Sequence, residues 1–164
     1  MSRPKVLIVE DEKIVAADIQ DSLQNAGYCV PALASSGEEA LQQDLQHKPD
    51  LILMNIMLRG GMDGIETVHQ IYQRREAPII SLTAYGDPTI LERAKATEPI
   101  VFVMKPYEET SLLAAIEISL HSYLATRERA KRELRASEER YRSLDAGLEA
   151  GQPIGGAVGR RLLC

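Results

Sequence analysis

The sequence predicts an α/β fold: a doubly wound, five-stranded parallel sheet followed by an extended C-terminal helix. Three observations carry this. Short apolar runs rich in β-branched residues recur between Val6 and Met104, the composition of strands buried on both faces. Amphipathic stretches with apolar residues at helical spacing separate them. Polar residues able to do chemistry fall where the runs end, the rim on which open parallel sheets gather their functional groups.

The elements follow in order. Val6-Leu7-Ile8-Val9 reads as the first strand, and Val15, Ile19, Leu23 and Ala26 form the stripe of a helix closed by Gly27. Residues 28–34 read as a second strand, which Pro31 places at an edge because proline has no amide hydrogen to donate. Ser36-Gly37-Glu38-Glu39 opens a helix carrying Leu41 and Leu45, which stops before Pro49. Residues 51–56 are the clearest strand. After a glycine loop, Asp63 caps a helix with Ile65, Val68 and Tyr72 turned inward. Residues 78–82 are strand four, and Asp87-Pro88 starts a short helix with Ile90, Leu91 and Ala94. Residues 100–104 are strand five, and a last helix follows Lys105-Pro106.

Composition bounds the function. With 164 residues, 45% hydrophobic and 26% charged, the chain can bury a core without disulfides or a structural metal. A net charge of −5 argues against non-specific nucleic-acid binding. No run approaches the roughly 20 apolar residues of a membrane span, and the first apolar burst meets Glu10-Asp11 at once, too early for a secretion signal. A cytoplasmic protein without membrane or nucleic-acid contacts is expected. Cys29 and Cys164 lie far apart, so reduced thiols are expected rather than a disulfide framework or zinc site. Through Leu124 there are 10 basic and 18 acidic residues, net −8; beyond it there are 9 and 6, net +3. That shift divides the chain into a globular domain at 1–124, a helical stalk at 125–145 and a Gly/Ala-rich flexible tail at 146–164.

At the strand ends stand Glu10-Asp11, Asn55, Thr83 and Lys105: two acids, an amide, a hydroxyl and an ammonium. Adjacent carboxylates suit a hard cation such as Mg²⁺. A hydroxyl and a lysine opposite them suit phosphoryl oxygens. Glu10-Asp11 alone would read as a solvated strand end or helix cap; with Thr83 and Lys105 at neighbouring ends, the reading as a site prevails. Gly60-Gly61 lacks the following Gly-Lys-Ser/Thr of a phosphate loop and reads as a turn. His47, His69 and His121 share no ligand-like spacing.

These residues resemble the receiver domain of two-component response regulators. The marks are Val-Glu-Asp-Glu at 9–12, Leu-Ile-Leu-Met-x-Ile-x-Leu at 51–58, Gly-Met-Asp-Gly-Ile-Glu at 61–66, Leu-Thr-Ala at 82–84 and Lys-Pro-Tyr at 105–107. Each is weak alone; five in order, covering roughly residues 4–122, are specific. The resemblance implies a flavodoxin-like fold, a non-enzymatic signalling role, and a histidine kinase or phosphotransfer protein as partner. It implies Mg²⁺ held by Glu10, Asp11, the residue at position 55 and the Met57 carbonyl. Thr83 and Lys105 match the phosphoryl-contacting pair, and Phe102 falls at the aromatic switch position that repacks with Thr83. One position departs: the phosphoacceptor aspartate of the family is Asn55 here. A carboxamide is a poor nucleophile and brings no charge to a metal, so Asn55 is expected to block phosphorylation and weaken Mg²⁺. Either the substitution freezes the resting state of a phosphorelay receiver, which the otherwise intact site favours, or the chain is a natural pseudo-receiver acting through protein contacts. A flavodoxin-like cofactor binder is a remote third class, since no flavin phosphate loop is present.

A seven-residue pattern runs through the last helix. Leu113, Leu120, Arg127, Leu134 and Tyr141 hold one seam position; Ile116, Tyr123, Ala130, Ser137 and Leu144 hold the other. This predicts a parallel coiled-coil homodimer, against the alternative of one amphipathic helix docked on the receiver. Residues 137–144 also resemble the lead-in helix of PAS sensor domains, which implies the N-terminal part of a longer receiver–PAS protein.

Overall fold

The computed structural model describes residues 3–84, 88, 92–93 and 101–144. Five strands run β1 (Val6–Val9), β2 (Leu33–Ala34), β3 (Leu51–Asn55), β4 (Ile79–Ala84) and β5 (Val101–Lys105). The helices are α1 (Lys13–Asn25), α2 (Gly37–His47), α3 (Gly64–Arg74) and α4 (Glu109–Leu144). Every strand pair is parallel, in the order β2-β1-β3-β4-β5. That is the flavodoxin-like order, whose topological switch point lies between β1 and β3.

β1 and β3 are wholly buried because helices cover both faces. One layer joins Val6, Ile8, Leu51 and Leu53 to Ile19 and Leu23 of α1 and to Leu112 and Ile116 of α4. The other joins Leu7, Val9, Ile52 and Met54 to Leu41, Val68 and Ile71. The alternating pleat of each strand feeds these two layers in turn. Asp63 caps α3 as expected, accepting from the Glu66 amide at 2.9 Å, and Ser36 caps α2 through the Glu39 amide.

Several expectations are corrected. The second strand is two residues long, on the predicted edge, with a separate bridge between Lys5 and Cys29. Pro31 and the short run leave little ladder to form. In α2, Leu45 points outward at 56% exposure, while Asp44 is fully buried because Arg75 reaches it. β5 is the other edge strand and leaves Val101 and Met104 exposed, so not all five strands are buried. Cys29 is disulfide-bonded, not a reduced thiol. Of the short helix expected after Asp87, Pro88, Glu92 and Arg93 are helical; Ile90, Leu91 and Ala94 lie outside the described residues, as does the tail from 145 onward.

The last helix is continuous for 36 residues, so the compositional boundary at Leu124 falls inside it. Its first half does not offer a free seam. Leu112 and Ile116 are buried in the core, and Leu113 and Leu120 pack against it. The Tyr123 hydroxyl donates to the Glu76 carbonyl at 2.8 Å. The upper seam positions expected at a dimer contact are therefore covered by the receiver itself. From Leu124 through Arg142 the helix is exposed all round, including Leu134 and Tyr141. No described helix is long and apolar enough to cross a membrane.

Candidate functional site at the carboxyl rim

Chain direction brings the site together. β1 delivers Glu10 and Asp11, β3 delivers Asn55, and β4 and β5 deliver Thr83 and Lys105, all at one rim. Glu10 and Asn55 are buried, at 3% and 5% exposure. Asn55 is the hub. Its Nδ2 donates to Glu10 Oε1 at 3.2 Å, to Asp11 Oδ1 at 3.3 Å and to the Met57 carbonyl at 3.3 Å. Its Oδ1 accepts from the Met57 amide at 3.3 Å and from Lys105 Nζ at 3.4 Å. The amide is thus oriented by chemistry. Turned over, its oxygen would face two carboxylates and a carbonyl, and its NH₂ would face an ammonium and an N–H.

Gly64 sets the close approach of α3 to this strand end: its amide donates to the Ile56 carbonyl at 3.0 Å, and a Cβ there would collide with the Asn55 carbonyl. Lys105 Nζ also lies 3.7 Å from Glu10 Oε2, an oxygen with no hydrogen-bond partner among the described residues. Burial pushes the Glu10 carboxyl above its ordinary value, and the Glu12 amide and Lys105 oppose that only in part. Tyr107, half-buried nearby, is pushed up by burial and by the charges of Glu10 and Asp18.

Not every residue of the expected set joins the network. Thr83 is buried at the rim, but among the described residues its hydroxyl meets only the carbonyl of Ala84, at 3.4 Å. Phe102 is half-buried and packs against Ile56 and Ile65. Arg59 was missed by the sequence reading. Its Nε lies 3.4 Å from Asp11 Oδ2, although the side chain is otherwise exposed. Its signal was only that it is the one cation in the 57–63 loop.

The oxygens of Glu10, Asp11 and Met57 are the hard donors that Mg²⁺ prefers. Their arrangement does not fit the ion as it stands, because the Asn55 NH₂ lies among them and the Asn55 oxygen faces away. Only two carboxylates meet here, and no cluster of three His, Cys, Asp or Glu exists among the described residues. At the opposite end of the sheet lies a groove of about 440 Å³ between α4 and the base, lined by Lys48, Pro49, Arg75, Tyr123, Leu124 and Arg127 among others.

A parallel sheet in this order is flavodoxin-like, and this one carries acids, an amide and a lysine at its carboxyl rim. Residues 6–117 match the response regulator receiver domain. The chain belongs to that family, the receivers of two-component systems. It is similar to the transcriptional regulatory protein PdtaR of Mycobacterium tuberculosis, 32% identical over 155 residues, 94% of this chain and 71% of that one. Among solved structures it resembles the N-terminal domain of a response regulator/sensory box/GGDEF 3-domain protein from Carboxydothermus hydrogenoformans. That match is 39% identical with a TM-score of 0.68, and covers 74% of this chain and 98% of that one. It also resembles a fusion carrying part of the trimeric coiled coil of yeast Spc42, 35% identical with a TM-score of 0.74 over 88% of this chain and 95% of that one.

Proposed function

We propose that the chain is a receiver module held in its unphosphorylated state by Asn55. It would signal through its long helix as the N-terminal part of a larger cytoplasmic receiver–PAS protein, and act as a signalling module and not as an enzyme. The observation that carries this is the Asn55 carboxamide at the end of β3, bonded to both acids and to Lys105. In this reading Glu10, Asp11 and the Met57 carbonyl mark the family's metal position, weakened by Asn55 at the fourth place, Thr83 and Lys105 are the phosphoryl-contacting pair, and Thr83 with Phe102 the switch. A histidine kinase or phosphotransfer protein is the partner class. The three-domain name of the Carboxydothermus relative supports a sensor module following the receiver.

The chain as given should take no phosphoryl group from acetyl phosphate, whereas Asn55→Asp should be labelled when Mg²⁺ is present. Intact-mass spectrometry decides it; a phosphate adduct on the unsubstituted chain would overturn the reading. The second reading, a phosphorylation-independent pseudo-receiver, is favoured by the amide satisfying the pocket from within. It predicts that Asn55→Asp also stays unlabelled.

Homodimerisation through the C-terminal helix now rests on its distal half, Ala130, Leu134 and Tyr141, since the receiver covers the earlier positions. The trimeric coiled coil named in the Spc42 fusion supports oligomerisation through such a helix without favouring the dimer. Sedimentation equilibrium at tens of micromolar should give a dimer that Leu134→Asp shifts to monomer without unfolding. A parent that is already monomeric would exclude it.

A further inference from the structure

We propose that the NH₂ group of Asn55 occupies the place of the divalent cation, so that the side chain competes with metal instead of ligating it. The inference rests on the reading of this rim as a receiver site. If Asn55 were simply a neutral ligand, its oxygen would point to the same side as the carboxylates. The structure has it the other way round. Nδ2 is the group shared by Glu10 Oε1, Asp11 Oδ1 and the Met57 carbonyl, all within 3.3 Å. Oδ1 is turned to the Met57 amide and to Lys105. An amide nitrogen carries two hydrogens and faces three acceptors here, a cation-like position filled by a neutral group.

Charge makes the same point. Glu10 and Asp11 bring two negative charges. Lys105 stands 3.7 Å from the first and Arg59 3.4 Å from the second. With a neutral residue at 55 the four charges cancel, and no ion is needed to hold the acids together. With an aspartate there, one negative charge would be left over. The substitution therefore removes the demand for the cation and fills its space in one step.

The two roles of Asn55 make opposite predictions for its removal. If Asn55 were a weak ligand, Asn55→Ala would bind Mg²⁺ no better than the parent. If the amide is a competitor, Asn55→Ala releases three oxygens and gains a response to metal. The experiment measures urea-denaturation midpoints of the full chain, Asn55→Ala, Asn55→Ser and Asn55→Asp, in chelator and across a titration with Mg²⁺ alone. The parent midpoint should stay flat through millimolar Mg²⁺. The Ala and Ser variants should bind Mg²⁺ about tenfold more tightly than the parent, a difference near 1.4 kcal/mol, and Asn55→Asp more tightly still. The serine variant keeps a small polar side chain and serves if the alanine variant does not fold. A parent that responds to Mg²⁺ as strongly as Asn55→Ala or Asn55→Ser overturns the inference. If Asn55→Asp responds to Mg²⁺ and is labelled by acetyl phosphate while the smaller variants stay flat, the inference falls and the receiver reading stands. If Asn55→Asp neither responds nor is labelled, the receiver reading falls with it.

Discussion

The two ends of the sheet bury the same kind of groups and hold them differently. At the base, Arg75 reaches Asp44 Oδ1 with Nε at 3.0 Å and Nη2 at 2.9 Å, and the Pro49 carbonyl at 2.6 Å. Lys5 Nζ donates to the His47 carbonyl at 2.6 Å, and its backbone amide to Asp50 at 2.8 Å. At the carboxyl rim, the contacts joining Asn55, Glu10, Asp11, Lys105 and Arg59 run from 3.2 to 3.7 Å. The base is bonded tightly, and the Arg75 that holds it also lines the groove there. The rim is bonded more loosely, and among the described residues Glu10 Oε2 has no hydrogen-bond partner. Pairing is thus tight at the base and slack at the rim.

The largest test of that contrast is at the base. Arg75→Met would leave the Asp44 carboxylate fully buried without its ion partner and should lower stability by about 3 kcal/mol. Lys105→Met at the rim removes longer contacts and should cost about 1 kcal/mol. Urea denaturation of both variants compares them, and equal losses would break the distinction. Gly64→Ala should fall between, at about 2 kcal/mol, because its methyl meets the backbone of Asn55 and lies 2.7 Å from Ile56 Cα. Its loss should come with shifted amide resonances of Asn55 and Met57; unchanged resonances would mean that Gly64 does not set the rim.

Tyr123→Phe keeps the ring and removes only the hydroxyl bonded to the Glu76 carbonyl. A loss of about 0.5–1 kcal/mol is expected in thermal or urea melts. The smallest effect is a pH slope. Burial raises the folded-state Glu10 value above 4.5, so its stabilising contribution is complete below the unfolded value and is lost as pH rises through the folded one. Between that ordinary value and neutrality the parent should lose stability relative to Glu10→Gln. Parallel curves for the two proteins would show that Glu10 titrates normally.

What the sequence made legible follows from the range over which each feature is determined. β1 and β3 were readable because burial on both faces writes a continuous apolar run. The rim residues were readable because they stand at strand ends, a position fixed by local order. Asp44 was not, since its burial depends on Arg75, 31 residues later in the chain, and by its own helix it reads as an outward acid. The orientation of the Asn55 amide depends on groups from β1, the 57–59 loop and β5 at once, so a residue type at a spacing says nothing of it. The heptads of α4 were legible as an apolar stripe. Which surface covers that stripe was not, and up to Tyr123 it is the receiver.

The unbroken α4 has the dimensions of a lever. Between Tyr123, where it is fastened to the base, and Leu144 it advances about 32 Å at the helical rise. A tilt of about 10° about that pivot would carry the far end on the order of 5 Å sideways, nearly a full helical pitch. Motions too small to disturb the packing of Leu112 and Ile116 would arrive at the end of the stalk as displacements large enough to change what it can touch.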